Sequence, residues 1–162
     1  MVKAVCSGSF DPVTYGHIDI FERASRMFDE VTVCVFHNIR KKSFFAVEER
    51  VRLIEEATGH LSNIRVISFE GLLPDLLHEQ GATVNVRGLR NVTDFEYEQQ
   101  QSLMLKHIAP DIETIFLMTD PRYSFLSSSA IREMVVFDAD ITELVPPCVK
   151  AAVERKLAEQ RG

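Results

Sequence analysis

Gly8-Ser9-Phe10-Asp11-Pro12-Val13-Thr14-Tyr15-Gly16-His17 joins a short apolar run, Ala4-Val5-Cys6, to a segment in which Ile18, Ile20, Phe21 and Ala24 recur at helical spacing. A buried strand that passes through a glycine-bearing loop into a helix is the opening unit of a parallel α/β sheet. The loop also suits an anion. Gly8 lets backbone come close to a ligand, Ser9 offers a hydroxyl, and Gly16-His17 stands where a helix leaves its first N–H groups unpaired and its dipole positive. The string has neither the G-x-x-x-x-G-K-[ST] of a P-loop nor the G-x-G-x-x-G of dinucleotide binders.

Outward from this unit, apolar runs alternate with helical patterns. Strands are predicted over 3–6, 31–36, 64–69, 83–86 and 112–118, and helices over 16–28, 47–58, 72–80 and 93–108. Ser127-Ser128-Ser129 reads as a cap before a further helix, and a last helix is predicted over 147–159 with proline near its start. Residues 1–162 then form one α/β domain: a Rossmann-like, doubly wound, five-stranded parallel sheet with a C-terminal helical extension. Such a sheet binds ligands at the carboxyl ends of its strands, where the strand order reverses. In the helix over 47–58, Val47, Val51, Leu53 and Ile54 face inward, and Glu48, Glu49, Arg50, Arg52, Glu55 and Glu56 form the expected solvated face.

Composition narrows the function class. A chain of 162 residues with 46% hydrophobic and 26% charged residues is of globular type, with no run long enough to span a bilayer and no signal-peptide pattern at Met1-Val2-Lys3. A cytoplasmic protein without a membrane or nucleic-acid partner is expected, since a net charge of −6 opposes binding to a phosphate backbone. Cys6, Cys34 and Cys148 lack metal-ligand spacing and read as small buried hydrophobes. His37, His60, His78 and His107 likewise lack ligand spacing.

The chemistry-bearing residues fall after the predicted strands. His17, at a positive helix end that disfavours its protonation, reads as a hydrogen-bond donor to phosphoryl charge rather than a general base. Arg40-Lys41-Lys42 follow the second strand, and Arg87 and Arg90 flank Gly88 after the fourth, where guanidinium forks suit phosphate oxygens. Ser127-Ser128-Ser129 reads as a cap or a phosphate cradle. Asp94 and Glu98 read as partners of the helix dipole. Leu103-Met104-Leu105 points in three helix directions and calls for cover by a subunit interface or an apolar ligand arm. A hydrolytic triad of Ser9, Asp11 and His17 is disfavoured because no G-x-S-x-G elbow is present.

Thr14-x-Gly16-His17 resembles the T/H-x-G-H signature of the nucleotidylyltransferase superfamily. The full string from Gly8 to His17, the lysine pair, Arg87-Gly88-Leu89-Arg90, Asp94-Phe95-Glu96-Tyr97-Glu98 and Tyr123-Ser124-Phe125-Leu126-Ser127-Ser128-Ser129 together resemble the bacterial phosphopantetheine adenylyltransferases over nearly the whole chain. The resemblance implies transfer of AMP from ATP to 4'-phosphopantetheine, giving dephospho-coenzyme A and pyrophosphate. It also implies Mg2+ as cofactor, a homohexamer, and coenzyme A as feedback inhibitor. By the same resemblance, His17, Lys41 and Arg90 are catalytic, with His17 a transition-state stabiliser. Ser9, Lys41, Leu73, Arg87, Met104 and Leu105 would bind phosphopantetheine. Ser9, Phe10, His17, Gly88, Leu89, Arg90, Glu98, Tyr123, Ser124, Phe125, Leu126, Ser127, Ser128 and Ser129 would contact ATP. No carboxylate cluster specifies metal ligands.

The chain departs from the family pattern at two places. Ser7 stands where many members have proline, a change expected only to loosen a turn, and Leu105 stands where many have asparagine. The latter predicts a more apolar arm pocket, and tighter phosphopantetheine binding in Leu105→Asn. The alternatives are a nucleotidylyltransferase for another phosphorylated acceptor and a catalytically silent nucleotide sensor. Retention of His17, Lys41, Arg87, Arg90 and the serine run together favours catalysis.

Overall fold

Strands β1 (Lys3–Gly8), β2 (Glu30–Phe36), β3 (Ile64–Phe69), β4 (Val84–Leu89) and β5 (Glu113–Met118) lie in the order β3-β2-β1-β4-β5 and pair only in parallel. A computed structural model describes residues 1–37 and 42–161. The chain builds outward from β1 to β3, then returns to lay β4 on the other side of β1. The reversal falls between β1 and β4, and a crevice opens there at the strand ends.

The helices are α1 (Tyr15–Met27), α2 (Val47–Thr58), α3 (Leu73–Glu79), α4 (Val92–Ile108), α5 (Ser128–Val136) and α6 (Pro147–Arg161), with a 3-10 turn at Pro121–Tyr123. Alternation along the strands divides the core in two. Ala4 and Cys6 of β1, with Val31, Val33 and Val35 of β2, pack against residues of α1, α2, α5 and α6, among them Phe21, Leu53, Ile131 and Val149. On the opposite face Val5 and Cys34 pack with Leu76 and Leu77 of α3 and Leu105 of α4. Among the described residues no helix is long and apolar enough to cross a membrane.

The expected elements are present, and three local expectations change. Arg87, Gly88 and Leu89 are part of β4 rather than a loop after it, because β5 pairs with them through Phe116, Leu117 and Met118. Ser7 likewise lies within β1 and not in a turn. Arg50, assigned to the solvated face of α2, is only 3% exposed. Its position between Val47 and Ile54 places it on the inward stripe, where its guanidinium donates to the Ser9 carbonyl at 2.8 Å and to Ser43 Oγ at 3.5 Å.

Candidate active site

The loop after β1 folds back under itself. Phe10 takes the left-handed φ of 46°, which turns its ring inward, edge-on to His17 at a centroid distance of 5.0 Å and to Phe21 at 5.2 Å. A Cβ on Gly8 would stand 3.0 Å from Phe10 Cζ, so glycine there makes room for the ring that supports His17. Thr14 caps α1, and His17 answers in a reciprocal capping box: the Thr14 N–H donates to His17 Nδ1 at 3.0 Å, and the His17 N–H donates to Thr14 Oγ1 at 3.4 Å. With Nδ1 accepting, the proton of the neutral ring resides on Nε2, which has no partner among the described residues. Burial, followed by the positive charges of Arg90 and Arg87, lowers the His17 pKa to about 4. His17 is therefore a neutral donor at physiological pH.

The crevice between β1 and β4 is a cleft of about 300 Å³. Ser9, Phe10, His17, Gly88, Arg87, Arg90, Glu98, Tyr123, Leu126, Ser127 and Ser128 line it, so most of the residues singled out in the sequence meet at one place. Its cations are already held. Arg87 makes a forked pair with Glu98 (Nε to Oε2 2.8 Å, Nη2 to Oε1 2.6 Å), and its Nη1 donates to the carbonyl and hydroxyl of Ser7. Arg90 makes a second fork with Asp94 (2.8 and 3.0 Å) and donates to the Leu126 carbonyl at 2.9 Å. The Arg90 guanidinium holds the Asp94 carboxyl below the usual carboxylate range. Asp94 and Glu98, read as dipole partners, instead fix the aim of both arginines.

The backbone donors at the cleft come from two helix ends. Of the first N–H groups of α1, that of Tyr15 donates to the Leu144 carbonyl and that of His17 to Thr14, which leaves Gly16. On α5, Ser127 Oγ accepts from the Ala130 N–H at 3.0 Å, and the N–H groups of Ser128 and Ser129 have no partner among the described residues. The loop before α1 is tied to α5: Ser128 Oγ donates to the Pro12 carbonyl at 2.8 Å, and Arg132 Nη1 donates to the Asp11 carbonyl at 2.6 Å. Asp11, 7% exposed, accepts the N–H groups of Phe44 and Phe45 at 2.7 and 2.8 Å. Its carboxylate is taken up by these N–H groups while His17 Nδ1 accepts from Thr14, so the Ser9-Asp11-His17 triad is not formed among the described residues. Arg50 and Arg132 were not legible as site supports, although the inward stripe of α2 includes position 50.

Several assignments fall elsewhere. Lys41, with Arg40, lies outside the described residues. Leu89 is buried within β4 and does not line the cleft. Phe125 is 65% exposed, Ser124 faces a shallow groove beside Asp19 and Arg23, and Ser129 Oγ accepts from Arg132. Gly88 lines the cleft, but a Cβ there would stand 3.0 Å from Ile20 Cγ1, so it serves the packing of α1 on the sheet as well. Beyond the Arg87–Glu98 pair a smaller recess of about 140 Å³ continues under α4, with Leu73 on its wall. Two arm residues do not reach it. Met104 is 61% exposed on the outer surface, and Leu105 is 5% exposed within the apolar cluster against which Leu73 packs. The expected gain from Leu105→Asn is thereby withdrawn, since an amide there would enter the core.

A neutral donor, two anchored guanidiniums and free helix N–H groups can bind and stabilise phosphate charge, but they provide no nucleophile. The one thiol at the cleft, Cys6, is pushed up to about 12 by burial. Comparisons with known proteins agree with this chemistry. Residues 5–134 match the cytidylyltransferase-like family. The phosphopantetheine adenylyltransferase of Syntrophomonas wolfei is 52% identical over 97% of this chain and 98% of its own length. That of Shouchella clausii is 49% identical over 95% and 97%. A crystal structure from Vibrio parahaemolyticus, assigned as a nicotinate-nucleotide adenylyltransferase, superimposes with a TM-score of 0.69 over 98% of this chain and 93% of that one at 20% identity, a likeness of fold.

Proposed function

The chain belongs to the phosphopantetheine adenylyltransferase family, and from that premise we propose that its cleft transfers the adenylyl group of ATP to 4'-phosphopantetheine, forming dephospho-coenzyme A and pyrophosphate. The observation that carries the mechanism is the His17 ring, held neutral with its Nε2–H free in the same cleft as Arg87, Arg90 and two helix N-termini. An oxygen of the acceptor phosphate attacks the α-phosphorus, and the bond from that phosphorus to the bridging oxygen breaks. Pyrophosphate leaves with the electron pair. The attacking oxygen is already anionic at neutral pH, so no base is required, and no covalent enzyme intermediate forms. His17 stabilises the charge gathering at the α-phosphoryl group, and Arg90 and the α5 N-terminus hold the ATP phosphates. Tyr123, Leu126, Ser127 and Ser128 bound the nucleotide side of the cleft.

Ser9 and Arg87 face the acceptor phosphate, with Lys41 assigned there by family resemblance, and Leu73 borders its arm. Among the described residues no group of three or more His, Cys, Asp or Glu side chains is poised to cage a metal, and Asp94 and Glu98 are spent on the arginines. Mg2+ would enter as its ATP complex, and phosphate and water oxygens would supply most of its shell. Coenzyme A, sharing both nucleotide and arm with the product, would compete for the same cleft. A cytoplasmic homohexamer accords with three unpaired cysteines and with the exposed apolar residues of α4.

Pyrophosphate release measured with ATP and a panel of phosphorylated acceptors tests the reading. Release with phosphopantetheine alone is expected. Turnover of a different acceptor in preference to it, or nucleotide binding without turnover, would overturn the proposal.

A further inference from the structure

The recess under α4 has a polar floor that no phosphate chemistry uses. Asn85 lies two residues before Arg87 on β4, on the same face of the sheet, and is 3% exposed. Its Nδ2 donates to Thr114 Oγ1 at 3.4 Å, while its Oδ1 is buried without a partner among the described residues. Turning the amide end for end leaves one polar atom unpaired in either orientation. A buried amide left half-satisfied costs stability, so the fold retains at this position a group that a ligand can complete. Gln101 and Ser102 of α4 border the same recess, and Leu73 supplies an apolar side.

The location decides which ligand. Arg87 and Glu98 line both the main cleft and this recess, so a molecule whose phosphate lies against Arg87 can extend its tail past the pair toward Asn85. We infer that Asn85 is a specificity-determining residue that hydrogen-bonds a secondary amide in the arm of the acceptor. With Nδ2 donating to Thr114 Oγ1, the free Oδ1 calls for a donor, and the N–H of a secondary amide supplies one. This inference rests on the proposed adenylyl transfer to phosphopantetheine, whose arm contains such amides. It assigns to β4 the arm contact that the buried Leu105 does not make.

The test compares steady-state kinetics and melting of the full-length enzyme and Asn85→Leu. The substitution removes the unpaired polar atom and keeps the branch at Cγ. We expect kcat/KM for phosphopantetheine to fall about 10-fold while the KM for ATP stays unchanged and Tm is equal or higher. A merely structural asparagine would lower Tm and affect both substrates alike. Acceptor kinetics within twofold of wild type would overturn the inference. Should the variant fold poorly, the wild-type enzyme is assayed with phosphopantetheine analogues in which each amide is replaced by an ester. A drop of about 10-fold for one ester is expected, and equal use of the amide and both esters would overturn it. Failure of wild type to turn over phosphopantetheine would instead overturn the function on which the inference stands.

Discussion

His17 owes its role to a backbone hydrogen bond. The Thr14 N–H fixes Nδ1 as an acceptor, and burial with two nearby guanidiniums keeps the ring neutral, so Nε2–H is available to developing phosphoryl charge. His17→Ala is expected to lower kcat by about 10²- to 10³-fold with a smaller effect on ATP affinity. Near-normal turnover would remove His17 from the mechanism. The same shift has a pH consequence. The unfolded ring takes up its proton near 6.5, whereas the folded ring resists until about 4. Between these values the unfolded state binds more protons, so this residue's contribution makes the fold less stable as pH falls through the window. NMR titration of the ligand-free enzyme should follow His17 to an apparent pKa near 4 with the Nε2–H tautomer above it. The donor role was legible in the glycine-histidine pair at a helix start. Its companion Thr14 appeared only as part of a motif, because a reciprocal cap that uses histidine is a matter of side-chain direction rather than spacing.

At the scale of elements, β4 and α4 together set the cations. β4 carries Arg87 to its C-terminal end, Arg90 follows directly, and α4 returns Asp94 and Glu98 to them. The sequence placed these residues at one strand end but not their pairing, because carboxylates in the first turns of a helix serve its dipole equally well. Arg50 differs from its expected place for a related reason: its charge suggests solvent where helical phase points inward. Leu105 shows the opposite case, an apolar residue read as part of a ligand pocket that belongs to the core between α3, α4 and the sheet. Leu105→Asn should destabilise the protein by about 2–4 kcal/mol, through lost packing and an unpaired buried amide. Denaturant titration checks this, and unchanged stability would return Leu105 to the ligand side.

Over the whole molecule, alternation of strands and helices predicted the sheet, and the sheet predicted the cleft, because a doubly wound order has one place where neighbouring crossovers diverge. What could not be read was how far each strand runs and which helix residues lie outside. α4 exposes Leu103 at 65% and Ile108 at 57%, with Met104 beside them, an apolar surface suited to contact between copies. In the proposed hexamer Leu103→Asp should shift sedimentation to smaller species, and an unaltered sedimentation profile would place the interface elsewhere. The central claim is that the cleft aligns and stabilises a single direct displacement, with no residue of the chain bonded to the adenylyl group. Turnover of a phosphorothioate ATP of defined configuration at the α-phosphorus tests this most directly. Inversion at phosphorus in the dephospho-coenzyme A product is the predicted result, and retention would contradict it.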